Sequence, residues 1–129
     1  MATALNVIER ALREIGVIQS GESPSATEAQ DALTSLNQML HGWRLKSVNL
    51  NHIDLVLIDT LPYPQDHEDP IVYNLAARLG QEYGVSIKPV TAALASDSFR
   101  SIQNYYADPQ DSTFDDALNP VYGQNRFYL

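Results

Sequence analysis

"SATEAQDALTSLNQMLHGW", residues 25–43, decides the fold class. Ser25 and Glu28 stand at capping-box spacing, where the hydroxyl accepts from the amide three residues on and the glutamate reaches back to the serine's own N–H. Behind that start, Ala29, Leu33, Leu36, Leu40 and Trp43 recur at helical spacing over about five turns. Asp31, Thr34, Asn37, Gln38 and His41 fall largely on the other faces. This is a helix with one buried side. Gly42 lowers helix propensity near its end by roughly 1 kcal/mol relative to Ala, so the last turn is expected to fray or to lie close to a neighbour.

Working outward, the same period appears on both sides. Leu5, Ile8, Ala11, Leu12 and Ile15 give a first helix over about Ala4 to Ile15, with Thr3 as its cap and Gly16 as its stop. Val17 and Ile18, in the linker, are expected to fold against the helices they join. Downstream, Asp69 is expected to cap a third helix with Pro70 at its first position, where a missing N–H costs nothing. Its buried stripe is Val72, Leu75, Ala76, Leu79 and Tyr83, and Gly84 ends it. Pro89 opens a fourth helix carrying Val90, Leu94, Ala95, Phe99, Ile102 and Tyr106. Between helices two and three the period changes. "VNLNHIDLVLIDTLP" (48–62) alternates and then turns aliphatic, which suggests an extended arm or short hairpin bending near Asn51-His52. Alone it cannot satisfy its backbone, so it needs a partner in this chain or another. The expected architecture is mainly α: a small four-helix domain over residues 1–107 with an arm at about 48–62, then an extended C-terminal tail over 108–129.

A chain of 129 residues with 44% hydrophobic content allows one modest domain. The net charge of -8 and the lack of any basic stripe argue against a surface that wraps nucleic acid by neutralising phosphates. DNA is still able to slide past an acidic wall that repels it. With no cysteine there are no disulfides, no thiolate catalysis and no Cys-ligated zinc. The opening residues hold no uninterrupted apolar stretch, and "IDLVLIDTL" is too short to cross a bilayer, so neither a signal peptide nor a membrane partner is expected.

Residues that carry chemistry are few. His41, His52 and His67 are scattered along the sequence, and "DHED" (66–69) reads as a solvated loop with a helix cap rather than an ion site. No zinc-protease helix, EF-hand or phosphate-binding glycine loop is present. Glu9 and Glu14 invite comparison with a glycosidase carboxylate pair, but five residues apart on one helix they point in different directions. The expectation is therefore no catalytic residue, no cofactor and no metal. Trp43 followed by Arg44 reads as core, with Arg44 left for an intersubunit surface.

The order of these segments resembles the head-to-tail connector proteins of tailed bacteriophages, specifically the dodecameric adaptor or tail accessory factor beneath the portal of short-tailed phages. The resemblance rests on "NVIERALREIGVI" (6–18), on Asp31 to Trp43 in the form D-A-L-x-x-L-N-x-M-L-x-x-W, and on the arm followed by "LPYPQDHEDPIVYNLAARLGQEYG" (61–84). It implies a structural virion protein, assembled in the host bacterial cytoplasm, that forms a ring of twelve copies and continues the DNA channel from portal to tail. The implied partners are the portal, neighbouring copies and a downstream tail hub or nozzle protein, with DNA passing unbound. It also implies that the tail contacts the portal. Residues 108–129 carry Phe114, Tyr122, Arg126, Phe127, Tyr128 and Leu129 along a Pro-interrupted, Asp-rich segment; anchor-like aromatics suit a peptide that docks in pockets, the alternative being that Phe127 and Tyr128 fold back over helix four. Arg44, Ile53, Leu55, Leu57 and Tyr63 are the expected contacts to neighbouring subunits or the next tail component. Some members have a longer arm and C-terminal helix than this chain, which leaves a long-tailed-phage connector ring open. Two other classes remain alongside: a small adaptor binding one protein partner, and a virion-associated peptidoglycan hydrolase using Glu9 or Glu14.

Overall fold

The structure, a computed structural model, describes residues 2–107. It is mainly α with four helices: α1 (Ala4–Glu14), α2 (Ala26–Gly42), α3 (Glu68–Tyr83) and α4 (Pro89–Tyr105). A 3-10 turn, Trp43–Lys46, extends α2, and another, Gln65–His67, leads into α3. None of the described helices is long and apolar enough to cross a membrane. The tail expected over 108–129, with all six of its proposed portal contacts, lies outside the described residues.

Local signals set where α1 and α2 begin. At α2 the Glu28 amide donates to Ser25 Oγ at 3.2 Å and the Ser25 amide to Glu28 Oε1 at 2.9 Å, which is the expected box. At α1 Thr3 and Asn6 form the same reciprocal pair, at 3.2 and 3.1 Å. The first two amides of α1 are satisfied differently. Ala4 N–H donates to the Asp59 carbonyl at 2.8 Å and Leu5 N–H to that of Leu57 at 3.1 Å, while Leu61 N–H returns to the Ala2 carbonyl at 3.0 Å. Helix starts leave orphan donors, and here the arm supplies the acceptors. The arm's own backbone need is met in the same place, through an isolated antiparallel bridge between Thr3 and Thr60.

The arm is thus extended but laid against its own domain. Ser47 (φ 70) reverses the chain after the 3-10 turn, and Asn51 takes φ 52 at the expected bend; Asn is among the few non-glycine residues that accept left-handed backbone. Val48, Leu55, Leu61 and Tyr63 are buried in the common core with Val7, Ile8, Ala11 and Leu12 of α1, Leu36 and Leu40 of α2 and Leu75 and Leu79 of α3. Burial of that many large aliphatic side chains, at roughly 1.5–3 kcal/mol each, holds the layers together. Trp43 closes the α2 stripe as expected, its ring centroid 5.1 Å from that of Phe99.

Three expectations need correction. The third helix starts at Glu68, not after an Asp69 cap, because the 3-10 turn closed by His67 N–H to the Pro64 carbonyl (2.9 Å) begins winding the chain earlier. Pro70 still falls in the first turn, where its missing donor is harmless. Glu68 and Asp69 instead meet Arg10 of α1, at 3.4 and 3.2 Å. Second, the buried side of α4 is Thr91, Ala95 and Ile102, with Phe99 and Tyr106 partly covered. Val90 and Leu94, each one residue and about 100° behind that stripe, are 68% and 40% exposed. Third, Tyr83 in the last turn of α3 is exposed rather than core. Beyond it Gly84 (φ 68) stops the helix, and Gly80 lets the following segment fold back closely, since a Cβ there would meet Ile87 Cγ1 at 2.8 Å.

Candidate functional site

The side chain that fastens the arm is Asn37, on the face of α2 next to the core. Its Nδ2 donates to the Leu55 carbonyl at 3.1 Å, and its Oδ1 accepts the Leu55 amide at 2.9 Å. This two-way clamp fixes which end of the carboxamide is oxygen. The same Oδ1 lies 2.8 Å from His52 Nε2, so that nitrogen must carry a proton and both lone pairs of the oxygen are used. His52 Nδ1 is then the acceptor, and Tyr63 Oη donates to it. Burial, and after it the neighbouring His41, lowers the pKa of His52, with Asp54 opposing. Burial, followed by the field of Tyr106, pushes the Tyr63 hydroxyl up to about 12. A neutral imidazole and a neutral phenol are what this hydrogen-bond pattern needs.

One turn along α2 from Asn37, His41 meets the same segment of arm. Its Nε2 lies 2.7 Å from Asp54 Oδ1, and its ring meets that of His52 edge-on, centroids 4.7 Å apart. His41, His52 and Asp54 present one donor atom each within 4.8 Å of one another. A recess of about 190 Å³ lined by Leu40, His41, Arg44 and residues 49–52 opens beside them. Histidines that are scattered in the sequence are therefore gathered in space, because the arm returns along the face that carries Asn37 and His41. The spacings N-x-x-x-H in a helix and H-x-D in an arm are the only traces of this in the sequence.

His67 is the centre of a second polar junction. It is buried, with Nδ1 2.7 Å from Asp66 Oδ1 and Nε2 2.7 Å from Tyr106 Oη, and Tyr105 and Tyr106 stand edge-on to its ring. Asp66 is exposed and His67 is core, so "DHED" is not the solvated loop expected from the sequence. The junction ties the start of α3 to the end of α4. Burial is the main reason the Tyr106 hydroxyl is raised above its usual value, with Tyr105 and Asp66 adding to it.

The arm exposes three aliphatic side chains. Ile53, Val56 and Ile58 are 80%, 55% and 83% exposed. A groove of about 460 Å³ runs between this edge and α2, with Leu33, Thr34 and Asn37 on one wall and Asp54 to Ile58 on the other. Of the five contact residues expected from the sequence, Arg44 and Ile53 are exposed and Leu57 is partly buried, its carbonyl taken by Leu5. Leu55 and Tyr63 are buried in this chain's own core, so their side chains face inward rather than toward a neighbour. Val56 and Ile58, which the sequence reading passed over, hold the outward positions instead. Glu14 accepts a hydrogen bond from the buried Thr91 hydroxyl at 3.0 Å and so joins α1 to α4.

Compared with known proteins, the chain matches no protein-family model and no curated sequence.

Proposed function

We propose that this chain is a structural subunit of a virion ring that joins the portal of a tailed bacteriophage to its tail and continues the DNA channel. The observation that carries the reading is the exposed aliphatic row Ile53, Val56 and Ile58, on the arm that the sequence resemblance assigns to contacts with neighbouring subunits. Each such side chain contributes roughly 1.5–3 kcal/mol when fully buried, enough for a modest contact repeated at every step of a ring. A head-to-tail contact of this kind closes into a ring when its rotation permits.

In this reading α1–α4 form the wall of the ring, and the arm edge and Arg44 meet the adjacent copy. Residues 108–129 reach the portal through Phe114, Tyr122, Arg126, Phe127, Tyr128 and Leu129. The charge of -8 suits a surface past which DNA slides without binding. The downstream side of the ring receives the tail hub or nozzle. The test is the mass of the protein mixed with its cognate portal, by native mass spectrometry or light scattering. Twelve copies added per portal ring is the expected result. No addition at micromolar concentration refutes the reading, and stable one-to-one binding to some other single partner favours a small adaptor instead.

A further inference from the structure

We propose that His41, His52 and Asp54 form a binding site for one divalent transition-metal ion of the zinc class, and that this ion pins the arm to α2. Two imidazoles and a carboxylate are a donor set that zinc, nickel and cobalt accept. Hard cations such as magnesium prefer oxygen alone and do not suit it. The inference rests on the geometry of this chain and is independent of the ring reading.

Donors on a tetrahedral zinc, at bonds of about 2.0–2.2 Å, lie roughly 3.3 Å apart. His41 Nε2 and Asp54 Oδ1 are already 2.7 Å apart, and all three donor atoms lie within 4.8 Å. Closing the set takes a movement of about an ångström or so. His41 and Asp54 are both exposed and bonded to each other, whereas His52 is held by Asn37 and Tyr63.

The held ring is prepared for the change. When Nε2 binds the ion, its proton leaves and the other ring nitrogen becomes the N–H, which then donates to Tyr63 Oη. A hydroxyl can accept as readily as donate, so the contact with Tyr63 survives with its direction reversed. This gives His52 the outer hydrogen bond that metal-ligating histidines commonly make. Asn37 Oδ1 gives up the His52 proton but keeps the Leu55 amide, and it stands beside Nε2 for a fourth oxygen contact. His41 likewise changes tautomer, exchanging its hydrogen bond to Asp54 for a shared ion. Arg44, in the same recess, repels a cation and sets the affinity in the micromolar range rather than that of a closed structural site. Ile53 sits between the two arm ligands in sequence, so occupancy also fixes one exposed side chain of the apolar row.

The experiment is calorimetric titration of the full chain with zinc chloride, alongside thermal unfolding with and without the ion. The expected result is one zinc per chain with micromolar affinity, and a rise in Tm of about 8 °C or more at a hundredfold excess over Kd. Magnesium chloride should leave Tm unchanged. His41→Gln and Asp54→Asn, both at exposed positions, should each weaken zinc binding at least tenfold while leaving the circular dichroism and metal-free Tm as they are. The proposal is overturned if no saturable one-to-one binding appears up to millimolar zinc. It is equally overturned if both variants bind zinc as the parent does, since that would mark scattered surface binding.

Discussion

Replacing Asn37 with alanine should loosen the arm and reach as far as the first helix. The carboxamide makes three hydrogen bonds, to the Leu55 carbonyl (3.1 Å), the Leu55 amide (2.9 Å) and His52 Nε2 (2.8 Å). Each has a net worth of about 1 kcal/mol, more where a buried partner is left without a substitute. Leu55 is buried, so the loss is about 3 kcal/mol, a large part of the 5–15 kcal/mol typical of a domain. In urea unfolding followed by circular dichroism, the midpoint should fall with little change in slope if the arm and helices unfold together. Amide hydrogen exchange gives a sharper view. The Ala4 and Leu5 amides donate to the Asp59 and Leu57 carbonyls, so they should lose protection with Leu55, although they lie on another element. A variant within 0.5 kcal/mol of the parent, roughly the range of an ordinary surface change, with those three amides still protected, would refute the idea that Asn37 holds the arm.

Three further outcomes are expected. Leu36→Ala, at a fully buried position on α2, should cost about 2–5 kcal/mol through lost burial and the cavity left behind, read as a lower urea midpoint. Ile58→Asp, at an exposed position on the arm, should leave thermal stability within about 0.5 kcal/mol yet abolish addition to the portal in light scattering; unchanged addition removes the arm edge from the interface. Tyr63, whose hydroxyl is pushed up to about 12, favours the folded state while it is protonated. Its contribution is complete below the unfolded value near 10 and lost as pH rises through 12, so the phenolate absorbance should show a late-titrating tyrosine that Tyr63→Phe lacks.

The fold was legible where its cause is local. Ser25 and Glu28 announce α2 because a capping box needs only four consecutive residues, and the stripe from Ala29 to Trp43 needs only a period. The start of α3 lies two residues earlier than expected because Asp69-Pro70 is a good helix opening in isolation, whereas the 3-10 turn ending at His67, whose ring meets Tyr106, already winds the chain ahead of it. Period names a helix face but not its width. That is why Val90 and Leu94, neighbours of the buried Thr91 and Ala95, were placed inside. The arm's sequence implies that it needs a partner, but not that α1's own first-turn amides provide it. The cluster of His41, His52 and Asp54 was hidden for the same reason. The spacings around His41 and His52 are too short and common to indicate that the chain doubles back and sets one ring beside the other.

The exchange between the start of α1 and the arm also bears on the order in which the molecule folds. An eleven-residue helix is shorter than the length at which a helix holds by itself in water, and two of its opening donors wait for carbonyls at positions 57 and 59. On a ribosome, α1 can therefore be synthesised long before it can be finished. Closing so long a loop is paid in entropy before the contact returns anything, so the junction should form late, after α2 has given the arm a surface to follow. A pause or cleavage between positions 47 and 57 would thus leave the Ala4 and Leu5 amides without their acceptors, and refolding experiments should find α1 among the last elements to gain protection.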